Sequence, residues 1–118
     1  GPSTDVPILY KHSNDKLTPA VLRFDNERFT CLNATTLKVE DKHAHAFGDV
    51  VLVVCRARPY HLDVRFDAKG NKRMRLMSSH IQQVVHELYT RAAHLKPEHV
   101  LFEPGIERFA FGDVPAPP

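Results

Sequence analysis

Four basic side chains crowd one short stretch, Lys69, Lys72, Arg73 and Arg75 in FDAKGNKRMRL (66–76). Ammonium and guanidinium groups this close suit one chemistry above others, charge-assisted hydrogen bonding to phosphate or carboxylate. The stretch KHSNDKL (11–17) supplies Lys11 and Lys16. If its turn stands beside the basic hairpin, Lys11, Lys16, Lys69, Lys72 and Arg73 converge on one anionic head group. Near an anionic leaflet each basic residue is worth about 1 kcal/mol, enough for reversible recruitment. Asp15 and Asp67 lie in the same loops and cancel part of that field. The plainer alternative is a solvated hairpin tip whose charges serve solubility.

Other constellations carry less. His43-Ala44-His45 puts two imidazoles on one side of an extended segment, ligands that zinc or copper accepts. Two ligands do not close a site, and Asp41 and Asp49 only flank the loop, so no metal is expected. There is no Gly-rich phosphate loop, no nucleophile elbow and no H-E-x-x-H pair. Cys31 and Cys55 lie in apolar, strand-like segments where burial makes a thiol inert. The expectation is a non-enzymatic protein without a cofactor.

These side chains must be held by one domain, since 118 residues make a single core of ordinary size. The chain is 42% hydrophobic and 25% charged, a balance that excludes wholesale disorder. Its net charge of +2 excludes a generic nucleic-acid binder, so any anion site must come from local clustering. The longest apolar run, VVLVVC (50–55), is too short to span a bilayer. Gly1-Pro2-Ser3 looks like a protease-cleavage scar, and residues 1–4 are assigned to a tag remnant. Two isolated cysteines favour a reducing, cytoplasmic setting over a disulfide staple.

Seven short strands are expected between residues 5 and 77: 5–12, 19–25, 28–33, a weaker 35–40, 49–58, 60–67 and 72–77. Residues 41–48 are polar and small and read as a loop. In 60–67, Tyr60, Leu62, Val64 and Phe66 alternate with His61, Asp63, Arg65 and Asp67, and Gly70-Asn71 turns the chain into 72–77. The period then changes. Ile81, Val84, Val85, Leu88, Ala92 and Leu95 form the stripe of an amphipathic helix at about 79–95. Ser79 and Gln82 suggest a capping box at its start, and Pro97 stops it. Residues 96–118 form a Pro-containing tail whose Val100, Leu101, Phe102, Ile106, Phe109 and Phe111 should pack partly onto the domain. The closing PAPP should fray.

A mainly β chain with one C-terminal helix, over residues 5–95, resembles the pleckstrin-homology superfold. That resemblance implies a seven-stranded antiparallel roll or barrel capped by the helix. The stretch KLTPAVLRFDNERFTCLN, continued through the helix, is also loosely similar to the folded tail homology region of class I myosins. Phosphoinositide-binding members carry a lysine near the end of strand one and a basic-x-Arg pair in strand two. Lys11 and Arg23 match the outer places of that pattern, and Val21 stands in the middle one. The tryptophan common in the family's helix is missing, since the chain has none. In the phosphotyrosine-binding branch a peptide adds beside strand five and rests on the helix. Here that groove would be formed by Arg56, Arg58, Val84 and Leu88, unless the chain's own tail covers it.

The resemblance therefore implies a non-catalytic interaction module of a larger protein, taking a protein partner through the groove or loops. Phosphoinositide or anionic-membrane targeting through residues 11–16 and 69–73 is the first alternative. A structural domain of a cytoskeletal or motor-like assembly is the second. The expected setting is cytoplasmic, with membrane-peripheral or cytoskeletal association, and the oligomeric state is left open.

Overall fold

Alternating side chains build the first half of the chain as a meander. β1 (Thr4–Lys11), β2 (Leu17–Phe24), β3 (Arg28–Asn33) and β4 (Val39–Ala46) pair antiparallel in turn. After a 3₁₀ turn at Phe47–Asp49, a second meander follows: β5 (Leu52–Cys55), β6 (His61–Arg65) and β7 (Arg73–Met77). β1 joins the two halves by pairing with β2 on one side and β7 on the other. The computed structural model describes residues 2–112, and of residues 40–43 only the backbone. Gly1, expected to be part of a tag remnant, the imidazole of His43 and the closing PAPP lie outside the described residues.

The chain is mainly β with one C-terminal helix, but the described residues form eight strands rather than seven. β8 (Val100–Phe102) adds parallel to β5, with Val53, Val54 and Cys55 opposite Val100, Leu101 and Phe102. The sheet is open, in the order β4-β3-β2-β1-β7-β6-β5-β8. Two expectations need correction between residues 33 and 48. Asn33 Oδ1 accepts the backbone N–H groups of Thr35 and Thr36, and Leu37 is left-handed at φ +57°, so 34–38 is a turn. The polar stretch read as a loop is instead β4, which finds its hydrogen bonds along β3 at a sheet edge, where polar sequence is tolerated. The strand expected at 49–58 shortens to β5.

A flat sheet of this order would keep its halves apart. β4 and β6 are five strand spacings from each other, roughly 24 Å at ~4.8 Å each. Yet His45 of β4 stacks on Phe66, one residue past β6, with ring centroids 4.1 Å apart. Phe29 of β3 approaches the same ring at 6.2 Å. The sheet therefore bends until its inner faces meet, enclosing Val6, Leu22, Phe24, Phe29, Leu62, Val64 and Leu76.

Helix α1 (Ile81–Arg91) covers one end of this core with Ile81, Val84, Val85 and Leu88. It is shorter than 79–95, and the Ser79–Gln82 capping box does not form. His80 is the N-cap without a side-chain cap, and Ser78 takes over locally: its Oγ accepts the His80 N–H and donates to Pro7 O. At the other end of the helix, Arg91 donates to Asp25 O at 2.7 Å, fixing it over the β2–β3 turn. No helix among the described residues is long and apolar enough to cross a membrane.

Candidate functional site

The ladder register decides which charged side chains meet. Lys11 pairs with Arg75 across β1 and β7, and Arg75 with Asp63 across β7 and β6. Arg73 pairs with Arg65 in the same hairpin. Because alternate residues share a face, Lys11, Asp63, Arg65, Arg73 and Arg75 project outward. Leu62, Val64, Met74 and Leu76 fill the core behind them. Arg56 and Arg58 leave the end of β5 toward the same face, and His61 opens β6 there. Lys11, Arg56, Arg58, His61, Arg73 and Arg75 line a hollow of about 220 Å³ with Asp63 among them.

Asp63 is the anchor of this face. It is only 3% exposed, and its Oδ2 accepts from Arg56 Nη1 at 2.8 Å. Arg73 Nη1 lies 3.5 Å away and Arg65 Nη2 3.9 Å. A buried carboxylate needs such partners, and it in turn collects three guanidiniums. Arg56 is held from a second side, since Nε donates to Glu103 Oε1 at 2.8 Å. Glu103 also accepts the Ala57 N–H, and that bond, followed by Arg56, holds its carboxyl below the usual range. The two carboxylates bonded to Arg56 push its own pKa up.

Arg75 performs a different task. Nη1 donates to Asp15 Oδ1 at 2.9 Å and Nη2 to the carbonyl of His12. The β1–β2 turn is thereby fastened to β7, so this turn and the β6–β7 hairpin share one end of the molecule. The Arg75 hydrogen bond, helped by the charges of Lys11 and Arg58, holds the Asp15 carboxyl below its ordinary value. Neither Lys11 nor Arg58 makes an ion pair among the described residues. Six cations, Lys11, Arg56, Arg58, Arg65, Arg73 and Arg75, thus stand against three carboxylates, Asp15, Asp63 and Glu103. The near balance of the whole chain conceals this excess.

The candidates read from the sequence divide sharply. Lys11 and Arg73 line the hollow, together with Arg56 and Arg58, which had been assigned to a peptide groove. Lys16 and Lys69 are exposed in the turn and at the hairpin tip and do not line it. Lys72 borders a separate, broader depression of about 800 Å³ with Tyr10, His45 and Phe66. Arg23 lies near the opposite end of the β1–β2 ladder, bidentate to Asp5 at 2.8 and 2.9 Å. Its match to the lipid-binding pattern brings it to no shared site.

The peptide groove is not open. Val84 and Leu88 are fully buried in the core, and β8 occupies the edge of β5. Beyond β8 the tail packs Phe109 against Phe102 at 5.0 Å and Phe111 against Tyr89 at 4.9 Å, while Arg108 lies 4.5 Å over the Phe102 ring. A cleft of about 650 Å³ remains between the tail and the start of α1, with Tyr60 at its rim. Tyr60 is 58% exposed and left-handed at φ +63°.

Cys31 and Cys55 are buried and form no disulfide, and burial pushes the Cys55 thiol up to about 12, so it stays protonated at neutral pH. Among the described residues no group of three His, Cys, Asp or Glu side chains is placed to hold a metal ion. His61, Asp63 and Arg75 line the hollow but were not among the residues expected to form the site. The signal was present, since the 60–67 alternation and the Gly70-Asn71 turn already set Asp63 and Arg65 against Arg73 and Arg75. Neither family models nor curated proteins match the chain.

Proposed function

We propose that this chain is a non-catalytic interaction module, which captures an anionic segment of a protein partner on the outer face of β1, β7, β6 and β5. The observation that carries the reading is the convergence of Lys11, Arg56, Arg58, Arg73 and Arg75 on one small hollow. Four of the five are arginines, whose planar forks match carboxylate and phosphate oxygens two at a time. Lys11 and Arg58 are available to a ligand without first breaking an ion pair.

A protein segment fits this face better than a membrane. A lipid surface rewards a continuous basic field, whereas Asp15, Asp63 and Glu103 interrupt this one and leave a localised site. Exposed Tyr60 and Leu17 near its margins offer apolar contacts to residues flanking the anion. The strand order favours a pleckstrin-homology-like roll beneath the site, with four strands, then three, then the capping helix. A cytoplasmic setting belongs to the same reading, supported by two buried cysteines that form no disulfide.

Lys11→Glu with Arg58→Glu should abolish capture of an acidic or phosphorylated peptide without unfolding the domain. Capture that survives the double change removes the hollow from the function. Sedimentation with anionic vesicles, in place of peptide capture, would return the module to membrane targeting.

A further inference from the structure

Resting on that reading of the hollow, we infer that its ligand is a phosphorylated side chain and that Asp15 is the internal anion this group displaces. Asp15 already does what a ligand must do. It accepts from Arg75 Nη1 at 2.9 Å, and Lys11 and Arg58, both lining the hollow, act on the same carboxylate. Its side chain is 69% exposed and sits in the 12–16 turn, so it can swing aside without disturbing the core.

The chemistry of exchange then selects the incoming group. A glutamate or aspartate from a partner would replace one carboxylate on Arg75 with another, leaving the charge-assisted bonds as they were. A phosphomonoester carries about −1.5 to −2 charges at pH 7 and three acceptor oxygens. It can take the place of Asp15 on Arg75 and still reach Lys11 and Arg58, which make no ion pair among the described residues. Asp63 is no such competitor, because it is buried under Arg56 and cannot leave. The turn therefore sets a threshold that a single negative charge does not clear.

The probes are two blocked pentapeptides, Gly-Gly-phosphoserine-Gly-Gly and its glutamate counterpart, titrated into the wild-type chain, Asp15→Asn and Lys11→Glu/Arg58→Glu. The wild type should bind the phosphopeptide several-fold more tightly than the glutamate peptide. Asp15→Asn should bind both several-fold more tightly than the wild type does. At saturation the Asp15 carboxyl ¹³C resonance should move to its position in Arg75→Ala, where its partner is gone. Equal wild-type affinity for the two peptides, unchanged binding by Asp15→Asn, or a stationary Asp15 resonance overturns the inference. If Lys11→Glu/Arg58→Glu still abolishes binding in that case, the anion site itself stands. If neither the wild type nor Asp15→Asn binds either peptide, or if only phosphoinositide vesicles bind, the underlying reading falls with it.

Discussion

Arg75 of β7 holds Asp15 of the β1–β2 turn at 2.9 Å across 60 residues of sequence, and the same guanidinium takes the carbonyl of His12. This one side chain fastens the turn to the end of the sheet where Lys11 and Arg58 line the hollow. A turn that in isolation would be a surface loop is tied to Arg75, a residue that lines the basic hollow.

Removing the carboxylate under that hollow should weaken the fold and strengthen the field. Asp63→Ala leaves Arg56, Arg65 and Arg73 without their shared partner. The cost should be about 1–3 kcal/mol, toward the lower end because those guanidiniums are partly exposed and water replaces some of the lost bonding. Urea unfolding measures it, with a lower midpoint expected at an unchanged slope. A midpoint that does not move would show that Asp63 does not organise this face.

Acid should loosen the molecule in a defined window. Asp5, Asp15 and Glu103 have their carboxyls held below ordinary values by Arg23, by Arg75, and by the Ala57 N–H with Arg56. The unfolded chain therefore takes up protons more readily than the folded one, so stability falls as pH falls. It should be intact above the ordinary values of 3.8 and 4.5 and decline progressively below them. Melting temperatures at about pH 6, 4.5 and 3 test this, and Glu103→Gln should flatten the decline. A melting temperature independent of pH over that range contradicts the assignment.

The tail should contribute to stability. Phe102 ends β8, packs on Phe109 and carries Arg108 over its ring. Phe102→Ala should cost about 2 kcal/mol, less than the ~3–5 expected for a fully buried phenylalanine. Removing residues from 98 onward should in addition expose the β5 edge and promote self-association, visible in light scattering. A truncated chain that melts like the full one and stays monomeric would mean that β8 is merely appended.

Cys55 should behave as core rather than as a nucleophile. With its thiol pushed up to about 12 by burial, it should resist iodoacetamide at about pH 8 in the native protein and react once the chain is unfolded. Rapid native labelling, read by mass spectrometry, would show that the core around β5 opens.

The sequence made some of this architecture legible for physical reasons. The apolar alternation of Leu62 and Val64 in β6, and the 3.6-residue period of α1, follow from turning one face to the core, and those patterns survive in the fold. β4 was hidden because an edge strand needs no apolar alternation, and VEDKHAHA has none. β8 was hidden because three residues among prolines become a strand only by finding the free edge of β5, 47 positions earlier. Arg23 looked like part of an anion site because its partner Asp5, 18 residues away, could not be read from local pattern. The hollow was half visible. Alternation put Asp63, Arg65, Arg73 and Arg75 outside, and the hairpin from β5 into β6, closed where the Arg56 N–H meets His61 O, brings Arg56 and Arg58 to them.

The most direct measurement of the central claim is a backbone amide chemical-shift titration of the wild-type chain with the phosphoserine peptide. The largest saturable shifts should fall at residues 11–15, 56–63 and 73–76, leaving the hairpin tip at 68–71 and the outer surface of α1 unmoved. Shifts confined to the hairpin tip and the Lys72 depression, or no saturable shift at all, would contradict it.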